Sequence, residues 1–248
     1  YCKQKKIEFL STGFDLESLD FLIALGIKRI KIPSGEINNL PLLRHAASFH
    51  LPIIVSTGMC SLNEVHETIE CLVKEGASKN NLTALHCTSQ YPTPLNAVNL
   101  QAMATMKEHL AIDIGYSDHT LNHETPIAAV SMGAKIIEKH FTLSRSMQGP
   151  DHLASLEPQD LKSMIDSIRN TELLIGSREK KPTQIELETM RVARKSIVAK
   201  TLIPLGKIIE DADLDTKRPA DGLSPMMWDQ VIGTVSPKEY KKDELITL

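Results

Sequence analysis

Residues 112–120, IDIGYSDHT, and residues 135–158, KIIEKHFTLSRSMQGPDHLASLEP, frame the stretch from Ile112 to Leu156 that decides the fold. Each segment reads as a strand ending in a histidine, His119 in the first and His140 in the second. Between them Asn122 to Gly133 reads as one short helix, with Pro126 near its start and Gly133 at its end. A strand, a crossover helix and a second parallel strand bring both strand ends to the same edge of a sheet. The two imidazoles, 21 positions apart, are therefore expected to converge on one ion. Asp118, Asp151 and the Gly149–Pro150 turn crowd the same edge, where α/β proteins keep their chemistry.

Working outward, the rest of the chain repeats this unit. Lys6–Asp15 reads as a first strand and loop, with Asp15 capping a helix that Gly26 ends. Arg29–Glu36 (RIKIPSGE), Pro52–Met59 (PIIVSTGM) and Leu82–Tyr91 (LTALHCTSQY) read as the second, third and fourth strands. The helices between them show apolar residues at helical spacing: Leu42, Leu43, Ala46 and Ala47 after an Asn38 or Asn39 cap, then Val65, Ile69 and Leu72 behind a Ser61–Glu64 capping box. Glu157–Ile175 closes the series as a helix.

Six strands alternating with six helices imply a parallel sheet covered by helices. A doubly wound sheet would need a glycine fingerprint after the first strand, and STGFD is not one. The strand ends are polar: Ser11–Thr12, Ser34–Glu36, Ser56–Thr57, Thr88–Ser89, Ser117–His119 and His140–Thr142. A closed (β/α) barrel would gather them around a single mouth, and the barrel reading fits this placement better. Eight strands would complete such a barrel; six are expected here.

From Ser177 to Glu188 the composition turns polar and charged. We read residues 1–178 as the barrel, 179–195 as a linker and 196–248 as a small, mostly β domain with short strands at Ser196–Lys200, Lys207–Glu210 and Leu214–Lys217. Such a domain has little apolar mass of its own and is expected to lean on another surface.

Composition narrows the function. The chain has 248 residues, 42% hydrophobic and 24% charged, enough to bury a full core. Its net charge of −3 gives no basic footprint for nucleic acid. Apolar runs are strand-sized, so neither a membrane span nor a signal peptide is expected. Cys2, Cys60, Cys71 and Cys87 form no regular framework and read as free thiols, which points to the cytoplasm.

Singly, His119 or His140 would be read as structural; their expected proximity points instead to a shared divalent metal, Mn²⁺ or Mg²⁺ with waters, or Zn²⁺ if Asp118 or Asp151 joins. Lys31 in KIPSGE suits a phosphate or carboxylate, and an internal Lys31–Glu138 pair is compatible with that. Ser56, Thr57, Thr12, Ser34 and Ser89 around one ring suggest a small anionic ligand. His86 and Cys87 are strand neighbours and face opposite ways, which argues against a catalytic Cys–His pair. Arg218, in KRPADG, reads as a loop residue on its own.

Taken together, KIPSGE, PIIVSTGM, LHCTSQYPTP, GYSDHT, EKHFT, GPDHLASLEP and TKRPADGLSP resemble the N-acetylneuraminate (sialic acid) synthases, kin of legionaminate and pseudaminate synthases, over essentially the whole chain. The resemblance implies a (β/α)8 TIM barrel followed by an antifreeze-like (SAF) domain, in a domain-swapped homodimer. It implies a transferase of carbohydrate biosynthesis that condenses phosphoenolpyruvate with N-acetylmannosamine, or a related N-acylated sugar, to give N-acetylneuraminate, or a related nonulosonic acid, and phosphate. By motif, His119 and His140 become metal ligands and, with Lys31 and Glu36, catalytic residues. Thr12, Lys31, Ser34, Ser56 and Ser89 fall where the family grips phosphoenolpyruvate. Glu36, Tyr91 and Asp151 fall among the sugar contacts, and Arg218 of a partner subunit would reach the N-acyl group.

Gly13 stands where many members have proline, and Ser89 where some have asparagine. An EIG-like strand and a VKFQ-like strand, with their glutamate and lysine, are not among these residues. The resulting expectation is that the 248-residue chain alone is unstable and lacks synthase activity. Two other readings compete: a Schiff-base lyase using Lys31, and a fragment that only binds ligand or dimerises.

Overall fold

In the computed structural model, which describes residues 1–248, local signals in the sequence set where each helix begins. After a short turn of helix, α1 (Cys2–Lys5), helix α2 (Leu16–Ala24) starts where the Asp15 carboxylate accepts the Ser18 N–H at 2.7 Å. Asn39 caps α3 (Leu40–Ser48) in the same way, through the Leu42 N–H. Helix α4 (Leu62–Lys74) opens on a reciprocal capping box: Ser61 N–H donates to the Glu64 carboxylate at 2.7 Å and Ser61 Oγ accepts the Glu64 N–H. Gly76 then turns the chain with a φ of 111°, which a side chain would resist. Helices α5 (Gln101–Leu110), α6 (Glu124–Ser131) and α7 (Pro158–Ile175) complete the first of two compact units, Tyr1–Gly176.

Its strands β1 (Ile30–Ile32), β2 (Ile53–Ser56), β3 (Leu82–Cys87), β4 (Asp113–Asp118) and β5 (Ile137–Lys139) form one parallel sheet in chain order. A doubly wound sheet reverses its order at a switch point; this one never reverses. In a flat sheet four spacings of about 4.8 Å would hold the edge strands about 19 Å apart. Yet Lys31 Nζ on β1 lies 3.4 Å from a Glu138 carboxylate oxygen on β5. The sheet is curled, so that side chains from its two edges meet across the interior. This is a part-barrel of the TIM type, and the Lys31–Glu138 pair read from the sequence is its signature.

Alternation assigns the two faces. Ile30, Ile32, Ile53, Val55, Leu82, Ala84, Ile114 and Tyr116 are buried in a core shared with Leu42, Val65, Ile69, Met103 and Met106 of the helices. The residues between them, Lys31, Ser56, Cys87, Ser117 and Glu138, contact one another or neighbouring polar groups inside the curl.

Three expectations need correction. Residues 6–15 do not form the expected first strand; Thr12 alone bridges to Lys31, and Ile7, Phe9 and Leu10 are exposed. A strand exists only where a ladder runs beside it, and β1 offers just three residues. Residues 179–195 are not simply a linker. They contain α8 (Gln184–Ala193), started by a Thr183–Glu186 capping box. Lys207–Glu210 is not a strand either; Ile208 makes one bridge to Val235.

The second unit, Ser177–Leu248, pairs β6 (Ser196–Ala199) antiparallel with β7 (Leu214–Lys217) and adds a single turn, α9 (Trp228–Val231). Its apolar mass is greater than expected: Ile197, Ala199, Ile203, Ile209, Leu214, Val231, Tyr240 and Ile246 are all nearly inaccessible and pack as one cluster. No helix of the protein is long and apolar enough to cross a membrane.

Candidate active site at the strand ends

The C-terminal ends of β1 to β3 bring a set of donors together. Lys31 Nζ donates to Ser56 Oγ at 2.8 Å, and Thr12 bridges to the Lys31 backbone. Just beyond β2, Gly58 N–H donates to Ser34 Oγ at 2.9 Å, and Cys87 Sγ is 3.5 Å from the same hydroxyl. Gly58 is required by proximity. A Cβ there would come within 2.2 Å of Ser89 Oγ and 3.0 Å of Ser34 Oγ. Lysine, hydroxyls and backbone N–H groups make an electropositive cradle suited to phosphate or carboxylate.

Beside it, β4 and β5 end in the two imidazoles. The rings of His119 and His140 are 5.3 Å apart between centroids and meet edge-on at 76°. Tyr91 covers them, at 4.1 Å from His119 and 5.3 Å from His140. His119 Nδ1 lies 2.7 Å from the Thr88 carbonyl, which fixes Nδ1 as the protonated nitrogen and leaves the Nε2 lone pair free. Burial, with the neighbouring His140 adding to it, pushes the His119 pKa down, so this ring is neutral at neutral pH. Burial likewise raises the Tyr91 phenol, helped by the charges of Cys87, Asp151 and Glu138. Asp151 Oδ2 is 3.8 Å from His140 Nδ1.

The expected Mn²⁺ or Mg²⁺ can be tested against this donor set. No group of three or more His, Cys, Asp or Glu side chains converges to hold a metal. Two imidazoles with open positions for water or substrate oxygen fit a labile divalent cation rather than a closed structural zinc site. Asp118 is not a candidate ligand. Fully buried, it is bound to Lys139 at 2.6 Å and to the Thr120 N–H, on the helix side of the sheet. As a neighbour of His119 on one strand it must point the opposite way.

Other expected residues engage neighbours of their own. The Glu36 carboxylate accepts from Asn39 Nδ2 at 2.7 Å, and Thr57 Oγ1 is turned back to the Leu85 carbonyl. Arg218, in the second unit, donates through Nε to the Ala193 carbonyl at 2.7 Å. His86 Nε2 faces the Val98 carbonyl while Cys87 faces Ser34, as strand alternation requires. A cavity of about 700 Å³ borders Cys87 and Ser89 from the side of α4 and α5, and neither His119 nor His140 is among its lining residues.

Ser117 and Glu138 belong to the site more fully than the sequence reading allowed. Ser117 Oγ donates to Glu138 at 2.7 Å, and Glu138 in turn faces Lys31. The signal was present: each sits two residues before a site histidine, on the same face of its strand.

Comparison with known proteins identifies the family. Residues 1–180 match the NeuB family and residues 194–248 the SAF domain. The N,N'-diacetyllegionaminic acid synthase of Campylobacter jejuni is 49% identical over 246 residues, covering 99% of this chain and 74% of its own length. The enzyme of the same name from Legionella pneumophila is 47% identical over 230 residues, covering 92% of this chain and 65% of its own. The crystal structure of N-acetylneuraminic acid (sialic acid) synthetase from Leptospira borgpetersenii, in complex with citrate, superposes with a TM-score of 0.71 at 35% identity, covering 76% of this chain and 65% of that one. With the family matched over the whole part-barrel and such relatives beside it, the chain belongs to the NeuB family of sialic acid synthases and carries an SAF domain.

Proposed function

We propose, against the inactivity expected from its motifs, that this chain carries the activity of a nonulosonic acid synthase, which joins phosphoenolpyruvate to the aldehyde of an N-acylated amino sugar and releases phosphate. The observation that carries this reading is the adjacency of two chemistries at one sheet edge: the Lys31–Ser34–Ser56–Gly58 cradle and the His119–His140 pair. In this reading the cradle, with Thr12 and Ser89, holds the phosphate and carboxylate of phosphoenolpyruvate. His119 and His140 hold Mn²⁺ or Mg²⁺, which when bound would polarise the sugar aldehyde. Tyr91, Asp151 and Glu36 orient the sugar. The enol carbon forms the new C–C bond, water adds to the cationic C2 that results, and the tetrahedral intermediate expels phosphate. Lys31 and the hydroxyls stabilise charge on the departing group throughout. The reading extends to a cytoplasmic homodimer in which Arg218 serves the acceptor bound by a second copy.

Of the acceptors expected from motifs, N-acetylmannosamine or a related N-acylated sugar, we favour a related one. The relatives named for legionaminic acid are 49% and 47% identical, against 35% for the sialic acid synthetase. This supports a 6-deoxy diacetamido sugar. The test is phosphate release and product mass with phosphoenolpyruvate and each sugar, before and after chelation. Faster turnover of the diacetamido sugar, lost on chelation and restored by Mn²⁺ or Mg²⁺, is expected. Preference for N-acetylmannosamine would overturn the acceptor; activity indifferent to chelation would overturn the metal.

A further inference from the structure

The last register pairs of β4 and β5 are Ser117↔Glu138 and Asp118↔Lys139, and the chain then delivers His119 and His140. The two residues that immediately precede the histidines are thus paired with each other. They lie on the outer face of the sheet, where the histidines do not. Lys139 Nζ binds Asp118 Oδ2 at 2.6 Å, and the side chains are 3% and 0% exposed. Lys139 Nζ also binds the Thr120 carbonyl. Asp118 Oδ1 in turn accepts the Thr120 N–H at 2.9 Å, closing a tight turn around His119. One ammonium therefore grips the residues on both sides of His119, while its own backbone leads directly into His140.

A buried ion pair is a poor way to gain stability. Desolvating both charges offsets much of their attraction, and well-packed apolar residues serve as well or better. What such a pair does supply is a single permitted geometry. Here that geometry is the separation of two rings held 5.3 Å apart on the opposite face. The Thr88 carbonyl orients the His119 ring, and the Thr93 N–H holds the His119 carbonyl at 2.9 Å, but neither touches β5. Among the side-chain contacts behind the rings, only Lys139 spans from one histidine's neighbours to the other's.

We infer that the buried Asp118–Lys139 pair is a positioning clamp: it sets the spacing of His119 and His140 from behind the sheet, and so the ability of the two imidazoles to share one metal ion. The geometric half of this stands on the contacts above, and the metal half rests on the function proposed here. Asp118 and Lys139 touch no substrate and act only through the histidines.

The test compares the whole chain with its Asp118→Asn/Lys139→Met double variant, which removes both charges together and leaves no unpaired buried ion. Two readouts are taken: the nuclear Overhauser contact between the His119 and His140 rings without metal, and Mn²⁺ affinity by electron paramagnetic resonance titration. The ring contact is expected in the parent and lost in the variant, and Mn²⁺ affinity is expected to fall about 10- to 100-fold, with the thermal midpoint little changed. A folded variant that keeps the ring contact and the parent's Mn²⁺ affinity overturns the clamp. Should the parent show the ring contact but bind no Mn²⁺, the metal reading fails and the ring contact alone decides the clamp. If the double variant does not fold, Asp118→Asn/Lys139→Leu, which likewise removes both charges with a shorter apolar side chain, takes its place. An unchanged ring contact and affinity in that variant would overturn the proposal equally.

Discussion

Lys31 and Glu138 stand on opposite edge strands of the sheet and meet at 3.4 Å inside its curl. Ser56 accepts a second bond from the lysine, at 2.8 Å, so the ammonium is held in place before any ligand arrives. Removing it should cost a charge-assisted contact, about 1.5–3 kcal/mol, or roughly 10- to 100-fold in affinity. Lys31→Met is therefore expected to weaken phosphoenolpyruvate binding by that factor in isothermal titration calorimetry. Glu138→Gln, which releases the lysine from its partner, should bind the same anion at least as tightly. Equal weakening by both changes would show that the pair serves the barrel and not the ligand.

Gly58 offers a steric test of the cradle. An added methyl group would meet Ser89 Oγ at 2.2 Å and force that hydroxyl to rotate away. Gly58→Ala should weaken phosphoenolpyruvate binding while the thermal midpoint moves by only a few degrees. Adding Ser89→Ala removes this closest contact and leaves Ser34 Oγ at 3.0 Å, so the double variant should bind less weakly than the two single losses summed. Strictly additive losses would place Ser89 outside the cradle.

In the second unit the Asp213 carboxylate takes bonds from Lys207 Nζ at 2.5 Å and the Glu210 N–H at 2.9 Å, and its pKa is lowered chiefly by the lysine contact. A lowered folded-state pKa gives stability that is present above the unfolded value, about 3.9, and is lost as pH falls through the folded one. Trp228, the sole tryptophan, lies in this unit and reports its unfolding. Denaturation followed by Trp228 fluorescence should show stability falling below about pH 4. Asp213→Asn should flatten that slope and cost about 1–3 kcal/mol at pH 7. An unaltered acid slope in the variant would assign the acid sensitivity to other carboxylates.

Features written in neighbouring residues were legible in the sequence. The Asp15 and Asn39 caps, the Ser61–Glu64 box, and strand β7 at Leu214–Lys217 all formed where local chemistry put them. The pairing of His119 with His140 was legible too, because a strand–helix–strand unit fixes the relation of its two ends. Residues 6–15 were not, since strand formation depends on a ladder supplied elsewhere in space. Helix α8 was hidden by its charge: the Thr183–Glu186 box lay in plain view, but composition was given more weight. Asp118 stands at the same strand end as His119 but on the opposite face, because adjacent strand residues cannot share a face.

That alternation has a consequence for how this protein can change. Each strand contributes to ligand chemistry and to packing through separate sets of positions, interleaved one by one: Lys31 between Ile30 and Ile32, Ser56 beside Val55, Ser117 beside Tyr116. Replacements confined to the inner set leave the helix-side contacts intact, so many variants of the pocket remain foldable. The scaffold can thus explore new acceptors by mutation at little risk to its core, and a library randomised only at inward positions should return mostly folded protein.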